Sequence, residues 1–230
     1  MNGLIHSSLY FGMLVSVGAY MLGVWLKKKT GWAILNPLLV AIIVVIAFLS
    51  VFHIEYKEYN RGAVYLGYFL TPATVCLAIP LYKQLELLRQ HLIAVASAIV
   101  AGGAGRVGSI YVMCRFFQLE HTHYVTLLPK SITTAIGMGV SEEAGGIVTL
   151  TVISIIITGI LGNIIADWLF QIFKIEEPIA KGLALGTAAH AIGTAKALEL
   201  GEIEGAMSSL SIAVAGLLTV VVVPLMSGLI

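Results

Sequence analysis

The chain has 230 residues, 59% of them hydrophobic and 11% charged, with a formal net charge of +1 and a mean hydropathy of +0.98. Soluble domains carry roughly 25% charged residues, so this composition excludes an ordinary soluble fold, and the near-neutral balance supplies no basic patch for nucleic acid. Long uninterrupted apolar runs fill the sequence, which predicts an all-α polytopic membrane protein.

In chain order, the first apolar run covers residues 4–26 and is followed by Lys27, Lys28 and Lys29. No basic region precedes it, so it is expected to be a retained anchor rather than a cleaved signal. Further runs lie at 32–52, 62–82, 92–116, 147–171 and 206–228, each close to the 20 or so residues that cross a ~30 Å hydrocarbon core. Together they predict six spanning helices. Thr71-Pro72 and Pro80 fall in the third run, where a kink is expected. Cys76 and Cys114 both lie in apolar stretches and read as small hydrophobes rather than ligands or disulfide partners.

Two other stretches, 124–142 and 182–198, are apolar enough to enter the bilayer but are interrupted. The first holds Pro129, Lys130, Gly137 and Gly139, the second Gly186, His190, Gly193 and Lys196. They are predicted to be broken or re-entrant helices, which lipid tolerates only where protein or water covers the loosened backbone. Cytoplasmic loops carry the Lys and Arg excess. If both stretches re-enter, Lys27, Lys28, Lys29, Lys83, Arg89, Lys174 and Lys181 share one side against Lys57, Arg61 and Arg115 on the other. That bias puts both termini outside; if both stretches span, the loop charges split evenly.

An internal repeat links the interrupted stretches. Thr134-Ala-Ile-Gly137 followed by Glu143 and Gly145 recurs 56 residues on as His190-Ala-Ile-Gly193 followed by Glu199 and Gly201. Ser154-Ile155 with Gly159 recurs as Ser211-Ile212 with Gly216, 57 residues on, and a fainter echo pairs 72–79 with 129–136. The predicted organisation is a single transmembrane domain over 1–230, divided into an N-terminal helix pair (1–60), a first crossing pair (61–119) and repeat units at 120–174 and 178–230. Units that each cross once point in opposite directions, which is the inverted-repeat plan of many secondary transporters.

The polar groups in those stretches are the candidate site. Lys130, Ser131, Thr133 and Thr134 follow Pro129, where freed N–H groups and hydroxyls at a half-helix end attract a carboxylate. Thr187, His190 and Thr194 occupy the second stretch. Arg106 sits inside Gly102-Gly-Ala-Gly-Arg-Val-Gly108, where a charge costs ~2.5–3.5 kcal/mol on insertion scales and so must face protein, water or ligand. His190, with an ordinary pKa near 6.5, is the first candidate for proton coupling, with Glu142 and Glu143 beside it. Lys196 and Glu199 lie near the same stretch. No metal-ligand spacing appears. Ser131 and Lys130 are adjacent and so do not face each other on a helix, which argues against a Ser/Lys hydrolase; no enzyme activity and no cofactor are expected.

Three segments carry a resemblance: Leu70-Thr-Pro-Ala-Thr-Val-Cys-Leu-Ala-Ile-Pro-Leu-Tyr-Lys-Gln84, Leu128-Pro-Lys-Ser-Ile-Thr-Thr134, and Gly186-Thr-Ala-Ala-His-Ala-Ile-Gly-Thr-Ala-Lys-Ala-Leu-Glu199, with Glu204-Gly-Ala-Met-Ser-Ser-Leu-Ser211. The chain from about Leu35 onward closely resembles the LrgB/CidB family. The resemblance implies a multi-pass protein of the bacterial inner membrane, working with a small holin-like partner of the LrgA/CidA type and named antiholin-like for effects on murein hydrolase activity and lysis. Related proteins look like carriers of pyruvate, or of glycolate and glycerate, which agrees with a site for a small carboxylate. Ala135 departs from the pattern, because many relatives carry a second Pro after the Thr pair. Two functions are therefore expected: a permease for a small carboxylate, or a regulator of murein hydrolase export without transport of its own. A homo-oligomer is left open.

Overall fold

In the computed structural model, residues 10–32, 35–76 and 78–230 are described, and these form twelve α-helices in two compact units divided after Cys76. The first residues of the first expected crossing, 4–9, lie outside the described set, as do 33–34 and Leu77.

The first unit contains α1 (Phe11–Thr30), α2 (Pro37–Val51), α3 (Tyr56–Gly67) and α4 (Leu70–Cys76). Helix α1 ends where Lys27, Lys28 and Lys29 complement the negative end of its dipole, and Gly31 takes the left-handed conformation at φ 70°, donating its N–H to Lys27 O. Helix α2 starts sharply because Pro37 sits at its first position and the Asn36 side chain accepts from the backbone N–H of Leu38 and Leu39. Lipid supplies no hydrophobic drive between helices, so close approach through small residues holds them together. Gly12 accordingly meets the backbone of Tyr59 and Ala63, and Gly23 meets that of Pro37. The Ser16 hydroxyl bonds Tyr59 OH at 2.6 Å.

The second unit contains α5 (Ala78–Lys83), α6 (Leu85–Gln90), α7 (Leu92–Phe116), α8 (His121–Leu127), α9 (Thr134–Glu143), α10 (Val148–Ile172), α11 (Pro178–Leu200) and α12 (Glu202–Ser227). Three of these, α7, α10 and α12, are long and apolar enough to cross a membrane, and they match the expected crossings at 92–116, 147–171 and 206–228. By contrast α2, with 15 residues, reaches only about 22 Å at 1.5 Å per residue, short of the ~30 Å core. The crossing expected to run uninterrupted over 62–82 is interrupted: α3 ends at Gly67 and turns at 68–69 precede α4. Pro72 is the third residue of α4, in a first turn where the missing N–H breaks no bond. Cys114 is buried in the core and Cys76 is exposed.

Both interrupted stretches are broken. Residues 128–133 separate α8 from α9; Leu128 keeps helical angles at φ −51° and ψ −46°, and the helix stops at Pro129, which has no N–H to donate to the preceding turn. In α11 the break is a single residue, His190, at φ 43° and ψ −133°. Helices α11 and α12 form the centre of this unit. Gly182 lies on Glu204 and Met207, Gly186 on Ser208 and Ser211, and after the kink Gly193 lies on the carbonyl of Leu185. A side chain at Gly186 or Gly193 would occupy space already filled by those atoms. Two apolar cores flank the centre. One joins Val95 and Ile99 of α7 to Leu183, Ala206 and Met207. The other joins Val107, Ile110 and Cys114 to Tyr124, Val125, Leu128, Val140 and Val223.

Candidate functional site: two cations at the end of a cavity

A cavity of about 1210 Å³ runs between α7, α10 and the first half of α11, with the 128–133 break at one end. Its floor is small and apolar: Ala94, Ala98, Gly102 and Gly105 of α7 face Ala180, Ala184 and Ala188 of α11. At roughly 30 Å³ per water the space exceeds any small carboxylate many times over, so a solute inside it keeps a hydrated surrounding. His91 and Glu177 line one end, at the starts of α7 and α11. The other end carries Arg106, Ser109, Lys130, Ser131, Thr158 and Thr187. From His91 to Ser109 the cavity follows α7 for eighteen residues, about 27 Å. At this end α7 also contributes Val107, Ile110 and Cys114 to an apolar core.

The inner end is defined by two positive side chains that converge on one residue. Arg106 Nη1 donates to the backbone carbonyl of Ser131 at 2.8 Å, and Nη2 donates to Thr219 Oγ1 at 2.6 Å. Lys130 Nζ lies 3.4 Å from Ser131 Oγ. Inside a regular helix the carbonyl of Ser131 would be engaged four residues on; the break leaves it to the guanidinium. Arg106 Nε is buried and has no partner. Ion pairs among the described residues include Lys83–Glu202 and Lys196–Asp167, and none is formed between a described carboxylate and Arg106 or Lys130. Two unneutralised cations beside each other at membrane depth are costly, and an anion between them removes much of that cost.

Of the residues expected from sequence, Arg106, Lys130, Ser131 and Thr187 line this cavity together. Thr133 and Thr134 do not. They begin α9, where Thr133 stands at the N-cap position with no side-chain capping bond. His190 and Thr194 are buried away from the lining: His190 Nε2 is 3.0 Å from Ile155 O, so this nitrogen carries the proton, because a carbonyl only accepts. Thr194 Oγ1 donates to His190 O at 3.1 Å and pairs with Ser208 Oγ at 2.7 Å. Glu142 and Glu143 are exposed at the end of α9. Lys196 is held by Asp167 at 2.7 Å. Among the described residues no group of three His, Cys, Asp or Glu stands close enough to hold a metal.

Sequence reasoning missed Thr219, Ser109 and Thr158. One signal would have brought α7 into the repeat: Ser97 and Gly102 stand 57 residues before Ser154 and Gly159, which stand 57 before Ser211 and Gly216. The 56-residue offset also pairs Ser131 with Thr187, and both line the one cavity. A reciprocal contact accompanies it, in which Ile136 of α9 reaches Gly216 of α12 while Ile192 of α11 reaches Gly159 of α10.

Known proteins agree with this picture of a membrane chain. A sequence profile of the LrgB-like family matches residues 16–229. The chain belongs to the LrgB-like family. It is 40% identical over 217 residues to antiholin-like protein LrgB of Bacillus mycoides (strain KBAB4), covering 94% of each chain. To antiholin-like protein LrgB of Bacillus subtilis (strain 168) it is 38% identical over 216 residues, again covering 94% of each. No solved structure matches significantly. As an LrgB-like chain with long apolar helices it is a membrane protein.

Proposed function

We propose that this LrgB-like protein is a multi-pass carrier of the bacterial inner membrane that moves a small carboxylate by alternating access and catalyses no reaction. The observation that carries this reading is the pair Arg106 and Lys130, both converging on Ser131 with no described carboxylate between them, at the inner end of a long cavity. Exposed residues line the cavity at both ends, His91 and Glu177 at one and Ser109 at the other, and along its length at Ala94, Ala98 and Ala184. Two broken segments that re-enter from opposite faces, within inverted repeats, would supply the moving parts, and the reciprocal Ile136–Gly216 and Ile192–Gly159 contacts support that relation.

Uptake of labelled pyruvate into proteoliposomes tests the proposal. Arg106→Gln and Lys130→Gln should each lower uptake by about tenfold or more, since each removes a charged contact worth about 1.5–3 kcal/mol. Wild-type uptake in both variants would overturn it. A second reading has support in the name shared by its relatives, antiholin-like protein LrgB: control of murein hydrolase export through a small LrgA/CidA-like membrane partner. Under that reading lysis phenotypes persist in Arg106→Gln and vanish when the partner is deleted.

A further inference from the structure

We infer that Thr219 is the positioning residue for Arg106 in solute binding, an inference that rests on the carrier reading above. Thr219 lies on α12, is fully buried at 0% exposure and is not part of the cavity lining, so it cannot touch a solute. Its hydroxyl donates its single proton to Ala215 O at 2.6 Å. The oxygen is therefore left as an acceptor, and it accepts from Arg106 Nη2 at 2.6 Å. This arrangement suits a guanidinium, which only donates.

The second anchor of Arg106 is the main-chain carbonyl of Ser131, which no side-chain substitution removes. Thr219 is thus the side chain through which the direction of the guanidinium is set from outside the cavity. The same face of α12 carries Gly216, which meets Ile136 of α9. One helix therefore holds both the cation and the segment that restarts after the first break. Displacing α12 relative to α7 would turn the guanidinium and alter how an anion is held.

Thr219→Val keeps the shape and removes the acceptor; Thr219→Ser keeps the acceptor. In proteoliposomes with labelled pyruvate, Thr219→Val should raise the half-saturation concentration about tenfold, as expected for a lost hydrogen bond to a charged group, and Thr219→Ser should restore it to within about twofold. In an Arg106→Gln background, Thr219→Val should change neither uptake nor melting temperature further, because a residue acting through another has no effect once that other is gone. Wild-type half-saturation in Thr219→Val, failure of Thr219→Ser to rescue it, or an equal fall in melting temperature with and without Arg106 would each overturn the assignment. If the wild-type protein takes up no pyruvate, the carrier reading falls separately. The melting cycle still decides then whether Thr219 acts through Arg106.

Discussion

The two broken helices share a sequence pattern and do different physical work. At the first, Pro129 opens six residues of non-helical chain, and Lys130 and Ser131 are delivered to the cavity. At the second, the break is confined to His190, whose ring is tied to Ile155 O. The positions that match at the 56-residue offset make the contrast plain, since Lys130 corresponds to Gly186 and Ser131 to Thr187. Where the first stretch places a cation facing open space, the second places a glycine pressed on Ser208 and Ser211. The two stretches that share the pattern thus differ in role: one presents charge, and the other packs the centre of its unit. The difference follows from the residue that makes each break. Proline ends a helix by removing a donor, whereas a single positive φ inside a continuous helix is local.

That contrast can be broken by exchanging the two roles. The largest expected effect is on the packing copy: Gly186→Ala puts a Cβ onto Ser211 Oγ and the carbonyl of Ser208, which should cost about 3 kcal/mol and appear as loss of monodisperse protein in detergent. Lys130→Gly, the reverse change, should leave melting nearly unaltered and reduce pyruvate uptake about tenfold or more. His190→Ala comes next. It removes the bond to Ile155 and should lower stability by about 1–3 kcal/mol, while the half-saturation for uptake stays within about twofold; a selective rise in half-saturation would return His190 to the binding site. Gly159→Ala sharpens the same point, because its Cβ would stand 2.7 Å from His190 Cε1 and from Ile192 Cδ1, and a loss of about 1–2 kcal/mol is expected in thermal melting. The smallest effect belongs to Glu142→Gln with Glu143→Gln. These exposed side chains should change stability by under about 0.5 kcal/mol, and the pH profile of uptake should stay as in wild type; a shifted profile would restore them as coupling groups.

Much of the candidate site was legible before any coordinates, for a reason particular to lipid. Arg106 and Lys130 attract attention in sequence because a charge within an apolar run has few acceptable surroundings. The two breaks are legible for a similar reason, since Pro129 and the Gly186, His190 and Gly193 group interrupt runs that are otherwise continuous. His190 stood out equally and lies elsewhere. Its ring satisfies itself on a carbonyl of α10, a contact 35 residues away in sequence that local pattern cannot reveal. Thr219 was hidden for the opposite reason: a single threonine in an apolar helix looks like ordinary helix packing, and its importance comes only from the guanidinium 113 residues away.

Composition and run length by themselves determined that this chain belongs in a bilayer, where three of its long apolar helices lie, and which two segments are broken. These follow from the backbone's need to satisfy its own hydrogen bonds in hydrocarbon, a demand that acts residue by residue and so is written locally. Which polar side chains share one space was decided by tertiary structure alone. Gly182 and Gly186 let α11 settle on α12, the helices leave a cavity beside α7, and the carbonyl freed at Ser131 meets Arg106 there. Whether a polar group faces the cavity or a neighbouring helix depends on packing between segments far apart in the chain, and no local preference encodes that choice.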